Sequence, residues 1–167
     1  MYKQGKWELV DLSDHKSPKF ARQISILEGK VKKFEKLKKS LNPNMSTKNF
    51  LGIIKNIEDI SENASVIGGY ASLLYASDTQ SDEATSLVTK MAKLGSEIEN
   101  KTLFFVFCWK RKIDEKNAMR LMKDSGNLKE YLRHKRLLAK YSLSEPEEKI
   151  INTPGSEITG IRGGIHN

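Results

Sequence analysis

Residues 17–41 read SPKFARQISILEGKVKKFEKLKKSL, and this stretch predicts a long amphipathic helix. Its apolar side chains recur at steps of three and four residues, which places them on one side of a helix. Ser17 is a good helix cap, and Pro18 is tolerated at the first helical position. Residues 41–44, LNPN, predict the end of the helix. The apolar stripe consists of Phe20, Ile24, Leu27, Val31, Phe34, Leu37 and Leu41.

Two more long helices are predicted after this one. Ser46 or Thr47 can cap the second, whose apolar stripe is interrupted by Gly68-Gly69. Glycine that is tolerated in mid-helix usually indicates close helix–helix approach or a kink. The third begins near Ser81. Its last part, residues 103–109 (LFFVFCW), is apolar nearly all round, so we expect it to lie at the centre of the core.

Shorter helices follow towards the end of the chain. One is predicted up to Leu121-Met122, and a capping pattern at residues 144–147 (SEPE) predicts the start of another. We therefore expect an all-α fold, an up-down bundle of three long helices followed by shorter helices. Residues 1–152 form the helical lobe and residues 153–167 an irregular tail. Another helix is predicted between the two short helices, that is, after Met122 and before Ser144. Its apolar residues are Leu128, Tyr131, Leu132, Leu137 and Leu138.

The net charge of +8 is unevenly distributed. Residues 1–44 carry 11 basic and 5 acidic residues, residues 45–100 carry 4 and 8, and residues 101–167 carry 14 and 8. The lysines of residues 30–39 could bind phosphates, but no aromatic residue for base stacking is interleaved with them. A solvated helix face is the favoured interpretation, and nucleic acid is not the expected partner. The basic ends could instead face an acidic protein surface.

The sequence shows no catalytic, cofactor-binding or metal-binding constellation. His15, His134 and His166 have no second histidine or cysteine at ligand spacing, and we expect the first two at the surface. Cys108, the one cysteine, lies among aromatic residues and is predicted to be a buried apolar side chain. Residues 110–112 (KRK) are expected to stabilise a helix C-terminus. No secretion signal or membrane-spanning run is present, which predicts a cytoplasmic protein.

Four segments resemble one family in order and spacing, over about residues 7–161. They are similar to the archaeal type of the oligoendopeptidase F family of zinc metallopeptidases. The segments are WELVDL at residues 7–12, YASLLYASDT at 70–79, LFFVFCW at 103–109 and YSLSEPEEKI at 141–150.

The resemblance implies an intracellular, mostly helical enzyme that cuts short peptides inside a deep cleft. In such enzymes an H-E-x-x-H helix and a later glutamate bind zinc, and the N-terminal helices build one wall of the cleft. This sequence contains no H-E-x-x-H, so no zinc ligand is carried over and the chain alone is expected to be inactive. We expect a truncated gene, a fragment or a rearranged reading frame.

The sequence leaves two alternative functional hypotheses open. The first is the N-terminal lobe of such a peptidase, which meets oligopeptides only in a full-length protein, where zinc is expected. The second is a self-standing helical interaction module, which forms a homodimer through surfaces that a catalytic domain would otherwise cover.

Overall fold

A computed structural model describes residue 9, residues 12–141 and residues 143–151. Every regular element in these residues is helical, so the predicted all-α fold class is confirmed. The expected irregular tail, residues 153–167, lies outside the described residues, as does Trp7 of the first family-like segment.

The three long helices begin where local capping chemistry predicts. The side-chain oxygens of Ser17, Ser46 and Ser81 each accept a hydrogen bond from the backbone N–H of the residue three positions further on. Such caps satisfy amide groups that have no partner inside the helix. These helices are α1 (Pro18–Lys36), α2 (Thr47–Ser77) and α3 (Asp82–Phe107).

Aromatic contacts between the long helices show how they run. The start of α1 meets the end of α2, where the ring centroids of Phe20 and Tyr70 are 5.6 Å apart. The start of α2 meets the end of α3, where Phe50 and Phe105 are 6.4 Å apart. Phe34, near the end of α1, also contacts Phe105, at 6.5 Å. Thus α2 runs antiparallel to both neighbours, and α1 and α3 run parallel.

The buried residues of the three long helices form one core cluster, and the end of α3 is almost wholly buried. Residues 104, 105 and 107–109 are all buried, as the sequence predicts for this segment. A large apolar side chain that is fully buried contributes roughly 1.5–3 kcal/mol relative to the exposed state. The largest fully buried side chains are Trp109, Phe34, Phe50, Leu27, Ile113, Leu121, Leu132 and Val31.

Short helical elements pack across the end of the bundle that holds Trp109. A π-helical turn, Cys108–Lys112, continues α3 and contains the basic residues 110–112 in its last turn. The 3-10 turns are Leu37–Ser40, Gly126–Leu128 and Leu138–Tyr141. The short α-helices are α4 (Glu115–Met122), α5 (Lys129–Leu137) and α6 (Glu145–Ile151).

The connection between α1 and α2 is held by α4. The guanidinium of Arg120 donates from Nη2 to the carbonyl oxygens of Pro43 and Met45, at 2.8 and 2.9 Å. The Arg120 bonds therefore fix this connection to a helix more than 70 residues away in sequence.

The α1 helix ends at Lys36 rather than continuing to residue 41, and a 3-10 turn follows it.

The two glycines of α2, Gly68 and Gly69, interrupt its apolar stripe but do not break the helix. The helix continues through both residues. A Cβ atom added at either glycine would meet nothing within 4 Å. Close approach of another described helix therefore does not explain why this helix carries two glycines.

The expected apolar stripe of α5 is buried only in part. Leu132 is buried and Leu128 is half-buried, but Tyr131 is 54% exposed and Leu137 is 61% exposed. Leu138, in the following 3-10 turn, is 38% exposed. The helix therefore packs along one narrow side and leaves apolar side chains at the surface.

Among the described helices, none combines the length and the apolar content that crossing a bilayer requires.

Candidate functional site

An apolar cleft of about 280 Å³ lies between α2, α3 and α5. Trp109, which is 1% exposed, and Phe105 line it from the core side. Its size suits one large apolar side chain better than a whole drug-sized ligand. The remaining lining residues are Ile54, Ile57, Glu58, Ser61, Thr102, Val106, Leu128, Tyr131, Leu132 and Lys135.

Trp109 is held in place by both neighbouring helices. Its indole Nε1–H donates to the backbone carbonyl of Leu132 at 2.9 Å, which joins the end of α3 to α5. On the α2 side, its ring centroid lies 4.9 Å from that of Phe50. A buried indole usually needs such an acceptor for its N–H group. The cleft surface is therefore fixed by packing and by one directional bond.

Arg136 of α5 caps the C-terminal end of the π-helical turn that contains Trp109. Its Nη1 donates to the backbone carbonyls of Trp109 and Ile113, the latter at 2.8 Å, and its Nη2 lies 3.0 Å from Glu115 Oε2. The guanidinium also lies 5.3 Å from the centre of the Trp109 ring. Carbonyls at a helix C-terminus lack partners within the helix, and a cation is favourable there.

The polar groups of the cleft lie on two sides. Lys135 Nζ lies 5.3 Å from the centre of the Tyr131 ring, and Glu58 approaches from α2. The Thr102 hydroxyl donates to the carbonyl of Ile98, at 3.0 Å. No histidine or cysteine lines the cleft, and within the described lining no hydrogen bond joins the Ser61 or Thr102 hydroxyl to Glu58 or Lys135. The arrangement can hold an apolar group between one cation and one anion.

Two further hollows join the cleft along α2. One, of about 600 Å³, shares Ile54, Glu58 and Leu128 with the cleft and extends towards Thr47. The other, of about 340 Å³, extends towards the middle of α3. The three together form one trough on a single side of the bundle, which we call the α2 trough.

The histidines do not form a metal site in the described part of the chain. No group of three or more histidine, cysteine or acidic residues is placed to hold an ion there. His134 is exposed, as predicted. His166 lies outside the described residues.

His15 is not a free surface residue, contrary to the prediction. Its side chain is 16% exposed and bridges α2 and α3, with Nδ1 2.9 Å from the Tyr70 hydroxyl and Nε2 2.9 Å from Glu83 Oε1. The backbone N–H of His15 donates to the same hydroxyl at 3.3 Å. An ionised carboxylate only accepts, so Nε2 donates to Glu83; in the neutral ring, Nδ1 then accepts from the Tyr70 hydroxyl. The three groups tie the segment before α1 to the bundle.

Hydrogen bonds from His15, and then from Lys16, lower the pKa of the Glu83 carboxyl from its ordinary value of 4.5. A carboxyl whose pKa is lower in the folded state stabilises the fold above its unfolded pKa. This stabilisation is lost as the pH falls through the folded pKa.

We expect Tyr70→Phe to lower the free energy of unfolding by about 1–2 kcal/mol, because His15 loses a ring partner and its backbone N–H loses an acceptor. Urea unfolding followed by circular dichroism measures the change. Tyr75→Phe is the matched control, since Tyr75 lies on the same helix and is 38% exposed. Equal effects of the two substitutions would contradict the role given to the hydroxyl.

Cys108 is a buried apolar side chain, which confirms the prediction. It is 5% exposed, and burial raises the pKa of its thiol above the ordinary value of 9.0. A thiol of raised pKa is a poor nucleophile at neutral pH.

The lysines of residues 30–39 do not act as one uniform face. Lys30 pairs with Asp59 of α2 at 2.7 Å, and Lys38 Nζ lies 5.9 Å from the centre of the Phe104 ring. The side chains of Lys32, Lys33 and others remain exposed. Part of the predicted basic face therefore serves contacts within the bundle.

No family model, no curated protein and no solved structure matches this chain.

Proposed function

We propose that the chain is the N-terminal lobe of an oligoendopeptidase F-like zinc peptidase of the cytoplasm. In this role it builds one wall of a cleft for oligopeptides and performs no chemistry by itself. The observation that carries the proposal is the apolar cleft beside Trp109, whose size and lining suit a peptide side chain.

The resemblance over residues 7–161 supports the same proposal. The peptidase family that the chain resembles uses zinc for catalysis. The described residues do not fit a zinc site, because they contain no cluster of three ligands. Zinc and the catalytic base would therefore be supplied by a separate catalytic portion. This chain would contribute binding and orientation of the peptide.

The test is reconstitution with a catalytic portion that carries H-E-x-x-H. We expect the two pieces to form a complex and to cleave a fluorogenic oligopeptide faster than the catalytic portion does alone. Ser61→Arg, which fills the cleft, should abolish the gain. Ser86→Arg on the exposed side of α3 should leave it unchanged. No complex, or no gain from the unaltered chain, would reject the proposal.

A second candidate function is a self-associating interaction module. It is favoured by the large apolar side chains that remain exposed between residues 131 and 150. Clustered apolar surface tends to be an interaction site in folded proteins. These exposed residues are Tyr131 (54%), Leu137 (61%), Leu138 (38%), Tyr141 (74%), Leu143 (42%) and Ile150 (63%).

Sedimentation velocity over a range of concentrations tests this second function. We expect the weight-average mass to rise from that of a 19.0 kDa monomer towards twice that value. A constant monomer mass at the highest soluble concentration would reject it.

A further inference from the structure

The exposed side of α2 carries an ordered pattern of charge. Two lysines, Lys48 and Lys55, come first along the helix, and two glutamates, Glu58 and Glu62, follow. All four residues are exposed. None of them forms an ion pair with another described residue. The helix therefore presents a basic half and an acidic half on one side.

The same side of α2 borders the α2 trough. The trough extends along the helix from Thr47 to Ser65, which corresponds to roughly 27 Å at 1.5 Å per residue. Apolar side chains lie on both sides of the charges, with Leu51 and Ile57 from α2 and Tyr131 from α5. The surface thus combines apolar hollows with unpaired charges at fixed positions.

We propose that a second copy of this chain covers the α2 trough, with the two α2 helices antiparallel about a twofold axis near residues 56 and 57. In that arrangement Lys55 of each copy lies opposite Glu58 of the other, and Lys48 lies about 4.5 Å along the helix from the level of Glu62. The inference rests on the second candidate function, self-association, and assigns it to the α2 trough, to which Tyr131 alone of the six exposed apolar residues named above contributes.

Charge complementarity selects the second copy as the occupant. In an antiparallel pair the basic half of each α2 helix meets the acidic half of the other, and Lys55 lies directly opposite Glu58 on both sides of the axis. A twofold contact of this kind uses the same surface on both molecules and closes after two copies. A uniformly charged partner, such as a nucleic acid, would meet both signs along the same helix and be repelled by half of them.

The open surface at the glycines is compatible with this packing. Gly52 lines the trough and Gly69 lies further along the exposed side of α2, and an added Cβ at either would meet nothing within 4 Å. A neighbouring molecule can therefore approach the helix backbone at these positions without displacing any described side chain.

Two double charge reversals test the arrangement. One is Lys48→Glu with Lys55→Glu, and the other is Glu58→Lys with Glu62→Lys. Each variant alone then opposes like charges, so we expect the dimer dissociation constant at low salt to rise by more than about tenfold. Circular dichroism should show unchanged helix content, since all four side chains are exposed.

Mixing the two variants is the decisive measurement, made by sedimentation velocity. The mixture should regain dimers close to the strength of the unaltered protein, because each reversed half then meets an opposite charge. Matched controls on other faces are Lys90→Glu with Lys93→Glu, and Glu28→Lys with Glu97→Lys, whose residues are exposed and which should dimerise normally.

The outcomes separate this surface from self-association in general. A protein that stays monomeric would overturn both. Dimers that survive either reversal, or a mixture that stays monomeric, would overturn the antiparallel α2 contact and leave self-association through another surface standing. If a double variant does not fold, the single changes Lys55→Glu and Glu58→Lys give the same comparison.

Discussion

Trp109→Ala is expected to lower the free energy of unfolding by about 3–5 kcal/mol, the range for removal of a buried aromatic side chain. The ring is 1% exposed and contacts Phe50, so its removal leaves a cavity where α2, α3 and α5 meet. The carbonyl of Leu132 also loses its donor. Urea unfolding, followed by circular dichroism at 222 nm, measures the change.

Met119→Ala provides the comparison for this substitution. Met119 lies on α4 and is 60% exposed, so its truncation should change the free energy of unfolding by less than about 0.5 kcal/mol. Trp109→Phe should fall between the two, because it keeps part of the apolar contact but has no N–H group. A loss below about 1 kcal/mol for Trp109→Ala would show that the end of α3 is not the centre of the core.

Arg136→Met should cost about 2–3 kcal/mol of unfolding free energy. Methionine keeps an apolar stem of similar length but leaves the carbonyls of Trp109 and Ile113 without their charged donor. The side chain of Arg136 is only 15% exposed, so water replaces these bonds poorly. Thermal and urea unfolding of the purified variant test the expectation.

The neighbouring arginine on α5 is the matched control. Arg133 is 65% exposed and lies 3.7 Å from Glu130, so Arg133→Met should cost at most about 1 kcal/mol. Arg136→Lys should recover only part of the loss, because a lysine cannot reproduce the forked geometry of a guanidinium. Equal losses for both arginines would contradict the capping role of Arg136.

Features that depend on a few adjacent residues were accessible from the sequence. The starts of α1, α2 and α3 follow from Ser17, Ser46 and Ser81, because a cap involves only residues three positions apart. Burial of residues 103–109 was largely predictable for a similar reason, since a helix that is apolar all round has no side suited to water.

Contacts between residues distant in sequence were not predictable in this way. His15 meets partners 55 and 68 positions away, and nothing in its neighbouring residues indicates them. Arg136 reads as one of several adjacent cations in α5, and only the fold distinguishes it from Arg133. Gly68-Gly69 misled for the opposite reason, because a missing side chain does not reveal whether a neighbour approaches.

The candidate site shows the same division. The sequence identified Trp109 as a core residue, but the cleft beside it also depends on Tyr131, which was expected in the apolar stripe of the fifth helix, and on Lys135. A signal was present in α5, which places an aromatic residue and a lysine four positions apart on one side of the helix.

The hydrogen bond from the Trp109 indole to Leu132 sets a limit on how the protein can be dissected. Residues 17–112 contain all three long helices, yet the acceptor for that indole and the guanidinium that caps the π-helical turn both belong to α5. A piece that ended before Lys129, where α5 begins, would lack both groups and would expose Trp109 to water. We therefore expect the smallest autonomous folding unit to include α5, although that helix buries only Leu132 among its residues.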